Sequence, residues 1–161
     1  MPLEIIKAPA YSFAPSRTYV FLAGSIEMDK AEKWQDKVYD LLQRDVIFRN
    51  TTLINPRRDE WDSSWEQSLN NPNFYEQVNW ELDNLEYVDF IIMYFDPNTK
   101  SPISLMELGL YADSGKLIVC CPDGFWRKGN VDILCQRYNI PIFTNMETML
   151  KELKRRVRKL Q

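Results

Sequence analysis

Short apolar segments alternate with helical patterns along most of the chain, and this alternation restricts the fold more than any other feature. Most of the segments are continuous runs rich in β-branched or aromatic residues. A strand of that kind is covered on both faces. The five predicted strands are Tyr19 to Ala23, Val46 to Phe48 with Leu53 and Ile54 nearby, Phe90 to Phe95, Leu117 to Cys121, and Ile140 to Phe143.

Five helices are predicted around these strands, and the order of elements indicates an α/β fold. A doubly wound, mostly parallel, five-stranded sheet with helices on both faces satisfies the alternation. Ligands bind such sheets at the carboxyl ends of the strands. The inward positions are Trp34, Val38, Leu41 and Leu42 in the first helix, Phe74, Val78, Leu82 and Leu85 in the second, and Met149, Leu150, Leu153, Val157 and Leu160 in the last, which starts near Met146. The third helix begins at Ser101-Pro102, where Ser can cap and Pro suits the first position, and the fourth covers part of 129–138.

The length of 161 residues fits one compact domain. We expect this domain to span residues 18–161. Residues 1–17 contain three prolines and are expected to form an arm on the surface or on a neighbouring subunit.

Composition excludes several classes of chemistry. The chain has no histidine and three cysteines with no cluster at ligand spacing, so zinc sites and Ser-His or Cys-His nucleophiles are excluded. It also lacks the glycine patterns of dinucleotide and P-loop sites, and we expect neither a metal nor a cofactor. No secretory signal or membrane span is predicted, which favours a cytoplasmic location. A net charge of −3 with a more acidic body argues against a nucleic-acid partner, and we expect no membrane partner.

Glu107 is the most informative side chain. It lies in a helical segment, Ile103 to Ala112, that is apolar almost all round, so its carboxylate is not freely solvated. A buried carboxylate costs stability unless it is paired, hydrogen-bonded or used in catalysis. A structural ion pair with Lys116 or an arginine is the alternative to catalysis.

Glu81 is a second candidate carboxylate, on the helix before the third strand and beside Trp80. Two carboxylates at one cleft suit glycosyl transfer, in which one attacks the anomeric carbon while the other assists the leaving group. The alternative for Glu81 is a solvated helix position.

Three loops after strands carry further candidate binding residues. Arginine donates in a planar fork, which suits a polar ligand, and aromatic faces can stack a nucleobase, although such rings are more often core. A glycine-serine pair lets backbone N–H groups approach a ligand. The candidates are Gly24 and Ser25 after the first strand, Asn55, Arg57 and Trp61 after the second, Ser101 at the end of the loop from Asp96 after the third, and Trp80 and Asn130 on helices.

Four motifs together resemble the nucleoside 2-deoxyribosyltransferase superfamily, in its broader deoxyribosyltransferase-like branch. The likeness covers about residues 19 to 145, and its most specific element is the M-E-L-G sequence at Glu107. The motifs are Val20 to Ser25, Asn55 to Arg58, Trp80-Glu81, and Ser101 to Gly109.

The resemblance implies a flavodoxin-like sheet, a role in nucleotide salvage and a double displacement that needs no cofactor. Glu107 matches the family nucleophile, which forms a covalent deoxyribosyl intermediate. Glu81 matches an aspartate that contacts the base and helps it to leave. Asn130 is similar to the asparagine that reaches a neighbouring subunit's site, which implies a homo-oligomer, dimer or higher, with shared sites.

Two departures keep alternatives open. Ser101 stands where classical transferases carry an aspartate and where related deoxynucleotide hydrolases carry a serine that touches the 5′-phosphate. Val20 replaces a tyrosine that lies near the nucleophile in classical members. The alternatives to transfer are an N-glycosidase acting on deoxynucleosides or their 5′-monophosphates, and a non-catalytic module that binds a nucleotide in the same cleft.

Overall fold

The computed structural model describes residues 2–26, 31–59 and 62–161, in which one sheet lies between two layers of helices. The strands are β1 (Glu4–Lys7), β2 (Thr18–Gly24), β3 (Thr51–Asn55), β4 (Phe90–Tyr94), β5 (Leu117–Cys120) and β6 (Ile142–Phe143). The α-helices are α1 (Trp34–Leu42), α2 (Pro72–Tyr87), α3 (Pro102–Tyr111), α4 (Lys128–Arg137) and α5 (Met146–Leu160).

The strands run parallel in the order β1-β3-β2-β4-β5-β6. Without β1, the order is β3-β2-β4-β5-β6, which corresponds to the flavodoxin-like strand order 2-1-3-4-5. The predicted α/β class and doubly wound arrangement are therefore confirmed. The direction in which successive strands are added to the sheet reverses between β2 and β4. These two strands lie side by side although β3 separates them in sequence.

The sheet has six strands rather than the five predicted. The additional strand, β1, lies within the predicted arm and pairs with β3 along four residues. Its sequence, EIIK, contains only two apolar residues and shows no strand pattern by itself. Pairing with the edge of β3 decides its conformation, and such pairing is a long-range effect that local sequence does not reveal.

The predicted second strand also differs in position. Val46–Phe48 forms a 3₁₀ turn, and the Asp45 carboxylate accepts a hydrogen bond from Ile47 N at its start. The strand itself begins at Thr51, and all five of its residues are buried. Only Phe48 of the triplet is buried, and three apolar residues alone do not distinguish a turn from a strand.

Apolar side chains of successive strand residues enter two separate cores, one on each face. On one face, Phe21 and Met93 pack with residues of α2, α3 and α4, whereas on the other Leu22 and Ile92 pack with residues of α1 and α5. This double burial explains the continuous apolar runs of the central strands.

The predicted inward faces are correct only in part. In α2, Leu85 is buried as predicted, but Phe74, Val78 and Leu82 are half-buried, and the other buried residues of the helix are Gln77, Trp80 and Asn84. Leu41 of α1 and Leu160 of α5 are exposed, because each lies at the margin of an apolar stripe that the sheet does not reach. The other helix boundaries follow the predicted segments closely; at α2, the Asn71 side chain accepts hydrogen bonds from Asn73 N and Phe74 N. None of the helices in the described ranges has the length and apolar character needed to span a bilayer.

Candidate active site

The carboxyl ends of β2 and β4 form the point at which ligands bind in sheets of this order. Gly24 ends β2 with a φ of 132°, a conformation that L side chains rarely adopt. A Cβ atom at this position would collide with the backbone of Tyr94 on β4. Gly24 therefore permits the two strand ends to approach each other, and the Ser25 N–H donates to the Tyr94 carbonyl at 3.0 Å.

Ser25, Thr99 and Ser101 form a buried cluster of hydroxyl groups beside this junction. The Ser25 Oγ lies 2.8 Å from Thr99 Oγ1 and 2.5 Å from Ser101 Oγ, and it accepts a hydrogen bond from Asp96 N. Thr99 Oγ1 lies 2.8 Å from Ser101 Oγ and donates to the Asp96 carbonyl. The cluster ties the end of β2 to the loop that leads into α3.

The sequence predicted that Ser101 caps α3. Ser101 does precede α3, but its side chain does not cap the helix. Its φ is 48°, and its hydroxyl is directed to Ser25 and Thr99 rather than to the first turn of the helix. Thr99 was not among the residues predicted for the site. The pattern Asp-Pro-Asn-Thr at 96–99 indicates a turn, and a turn threonine that bonds back to the aspartate carbonyl is a signal that a more local analysis would find.

Glu107 lies in the middle of α3 and is only 6% exposed. Burial, together with the negative charge of Glu81, raises the pKa of Glu107 to about 8. Within the described ranges no lysine or arginine forms an ion pair with it. Lys116, the cation considered from sequence, donates instead to the carbonyl groups of Leu85 and Glu86.

Glu81 lies on α2 and is partly exposed. Burial raises its pKa to about 7, and a hydrogen bond from Gln77 opposes that increase. The Gln77 Nε2 lies 3.4 Å from Glu81 Oε1 and 3.0 Å from the Pro56 carbonyl. Gln77 was not singled out from sequence, although its spacing of one helical turn before Glu81 is a signal that predicts a contact.

Asn55 and Arg57 flank Pro56 in the loop after β3. Asn55 is fully buried, and its Oδ1 accepts a hydrogen bond from Arg57 N at 3.0 Å. Its Nδ2 has no partner among the described residues. The Arg57 Nη2 donates to the Glu32 carbonyl at 3.5 Å, so the guanidinium bridges the loops that follow β2 and β3.

Two other candidate residues, Trp80 and Asn130, lie outside this group. Trp80 is fully buried, packs near Phe21, and donates its Nε1–H to the Ala10 carbonyl at 2.7 Å, so in this conformation it presents no ring face to a base. Asn130 is exposed on α4 and lines a hollow of about 320 Å³ between α3 and α4. Trp61 lies outside the described residues.

The candidate site contains two carboxyl groups, those of Glu81 and Glu107, and the charge of the first acts on the second. In the described part of the chain, no three Cys, Asp or Glu side chains come together in a way that could hold a metal ion. The raised pKa values mean that both carboxyl groups can exchange a proton near neutral pH.

Comparison with known proteins assigns the family. Residues 17–125 match the family model described as "Nucleoside 2-deoxyribosyltransferase like". The match covers most of the chain and both carboxylates, and this chain belongs to that family.

A solved structure supports the fold independently. The chain is similar to a conserved protein from Enterococcus faecalis V583, with a TM-score of 0.61 and 15% sequence identity, covering 87% of this chain and 99% of that one. At this identity the likeness concerns the fold alone. No curated protein matches the chain.

Proposed function

We propose that this protein transfers the 2-deoxyribosyl group of a deoxynucleoside from one nucleobase to another. The Glu107 carboxylate attacks the anomeric carbon, the bond from that carbon to the base nitrogen breaks, and the departing base takes a proton from Glu81. A second base then attacks the same carbon and displaces Glu107, while Glu81 takes up the proton released by the incoming nitrogen. Each step conserves charge and needs no further reactant.

The observation that carries the proposal is the state of Glu107. Its carboxyl group is buried on a helix, has no ion-pair partner among the described residues, and is close enough to Glu81 for one charge to influence the other. A structural carboxylate is normally compensated by a cation or by hydrogen bonds. An uncompensated one beside a second carboxyl group fits the two roles of glycosyl transfer.

We further propose that the active form is a homo-oligomer built on the outer face of α3 and α4. Large apolar side chains are exposed there, at least half of each surface being accessible to solvent in the single chain. Patches of this kind mark interfaces in soluble proteins. A two-fold interface at this face would bring Asn130 against the neighbouring copy, as the family resemblance implies. The exposed residues are Ile103, Met106 and Leu110 of α3 and Ile133 of α4.

A base-exchange assay tests the reaction. The protein is incubated with deoxyinosine and adenine, and in parallel with thymidine and adenine, and the products are separated by chromatography. Formation of deoxyadenosine with release of the first base supports transfer. Release of free deoxyribose without base exchange would show that the protein is a hydrolase rather than a transferase. Thermal stabilisation by the ligand without any product would indicate a binding module.

The covalent step is tested separately by mass spectrometry. A 2-fluoro-deoxynucleoside slows release of the sugar, and we expect a glycosyl adduct on the peptide that contains Glu107. Glu107→Gln should give no adduct and lose at least about 1,000-fold in turnover, as expected when a nucleophile is removed. Glu147→Gln, which alters an exposed carboxylate on α5, is the matched control and should retain both. Full turnover by Glu107→Gln would overturn the assignment.

A further inference from the structure

Gln77 is a buried amide for which packing alone gives no reason. It is 5% exposed on α2, and its Nε2 makes two contacts, one to the Pro56 carbonyl at 3.0 Å and one to Glu81 Oε1 at 3.4 Å. Its Oε1 is buried and has no partner among the described residues. An apolar side chain of similar size would fill the position without leaving that oxygen unpaired.

The two contacts of Nε2 join parts of the site that are distant in sequence. Pro56 belongs to the loop after β3, in which the Asn55 side chain accepts a hydrogen bond from Arg57 N. Glu81 lies one helical turn after Gln77 and turns its carboxyl group towards the same amide. The Nε2 group has two hydrogen atoms, and both are used by these contacts.

We propose that Gln77 is a positioning residue, which holds the Glu81 carboxyl group against the loop after β3 in the orientation needed to exchange a proton with the base. The inference rests on the proposed function for its catalytic meaning. An amide donor is suited to this role because it holds the carboxyl group without carrying a charge of its own. A lysine or arginine at the same place would form an ion pair and keep Glu81 permanently ionised.

Among the described residues, Glu107 on α3 is the titratable group on which the charge of Glu81 acts. The charge of Glu107 acts in turn on Tyr111, together with that of Glu86. The hydrogen bond from Gln77 favours the ionised form of Glu81 and so lowers its pKa against the effect of burial. Removing the donor should therefore move the titration of Glu81 to higher pH.

Two variants with a matched control test the proposal. Gln77→Met removes the amide at nearly constant volume, and Gln77→Glu retains the shape but replaces the donor with an oxygen that repels Glu81 when ionised. Asn84→Leu is the control, because Asn84 is a buried amide on the same helix whose Nδ2 donates to the Trp80 carbonyl rather than to Glu81. Thermal unfolding of all three measures the cost of losing a buried amide at each position.

Carbon-13 NMR of labelled glutamate side chains follows the titration of Glu81 directly and does not depend on turnover. We expect the Glu81 midpoint to rise in Gln77→Met, to rise further in Gln77→Glu, and to stay unchanged in Asn84→Leu. In the base-exchange assay, kcat should fall by about tenfold in Gln77→Met, the scale of one hydrogen bond to a charged group, with a smaller change in KM.

The outcomes separate the two hypotheses. A Glu81 midpoint that does not move in either Gln77 variant overturns the positioning role, even if the protein exchanges bases as proposed. Equal loss of kcat in Gln77→Met and Asn84→Leu also overturns it, because it indicates a structural effect. A wild-type protein without turnover defeats the proposed function, while a shifted midpoint would still establish the contact between Gln77 and Glu81.

Discussion

Glu81 and Glu107 lie on neighbouring helices, α2 and α3, and the negative charge of Glu81 contributes to raising the pKa of Glu107. Both groups thus release their protons near neutral pH, at about 7 and about 8. Between these values the pair carries a single negative charge, which by the two pKa values lies mostly on Glu81. The proposed roles use the less populated arrangement of the same charge, with Glu107 ionised and Glu81 protonated.

The first prediction concerns the pH dependence of catalysis. The proposed reaction needs one ionised and one protonated carboxyl group, so kcat/KM should rise as the pH increases through about 7 and fall above about 8. A bell-shaped profile of the free enzyme is the expected result. In Glu81→Gln the decrease of kcat/KM at high pH should be absent, because the glutamine side chain cannot lose a proton. A wild-type profile that is flat from pH 6 to pH 9 would contradict the prediction.

The second prediction concerns stability. The folded-state pKa of Glu107 lies above its usual value of 4.5, so the folded protein retains a proton that the unfolded chain releases. The contribution of this group is therefore complete below about pH 4.5 and is lost as the pH rises to about 8. Glu107→Gln should exceed the wild type by up to about 5 kcal/mol in free energy of unfolding above pH 8, since the pKa shift of about 3.5 corresponds to about 1.4 kcal/mol per unit. The difference should vanish near pH 4.5, and urea unfolding at both pH values measures it. If Glu107→Gln is more stable than the wild type by the same amount at both pH values, the ionisation of Glu107 is not the cause.

The third prediction concerns the hydroxyl cluster. Ser25 and Ser101 share one contact of 2.5 Å, so Ser25→Ala and Ser101→Ala should each lower the free energy of unfolding by about 1–2 kcal/mol. The double variant should lose less than the sum, because the shared contact is lost only once. Denaturant unfolding of the wild type, the two single variants and the double variant provides the double-mutant cycle that measures this coupling. Strict additivity would show that the two hydroxyl groups act independently.

The fourth prediction concerns assembly. Met106→Glu and Ile133→Glu place charges on the exposed apolar face of α3 and α4, and each should convert an oligomer into a monomer on light scattering after size exclusion. Base exchange should fall with assembly if Asn130 serves a neighbouring site. Leu41→Glu is the control, since Leu41 is also more than half exposed but lies on α1. A wild-type protein that is monomeric at all concentrations tested would refute the interface.

Local sequence was sufficient for the interior of the fold and for the family. The runs at β2, β4 and β5 are apolar at successive positions, and only a strand covered by helices on both faces buries all of them, so the doubly wound class follows from pattern alone. The motif around Glu107 was equally sufficient, because it combines a specific residue order with an apolar helix. β1 was not predictable, since its four residues become a strand through hydrogen bonds to β3.

Tertiary structure decided the environment of the site. The sequence by itself determined which carboxylates are candidates, but the coupling of Glu81 to Glu107 and the contact of Gln77 with Pro56 and Glu81 join elements that are distant along the chain. The same holds for Ser25 and Ser101, which are 76 positions apart and meet only because β2 and β4 lie side by side. Burial and proximity depend on the packing of the whole chain, and they decide whether a carboxyl group is solvated, paired or held ready for chemistry.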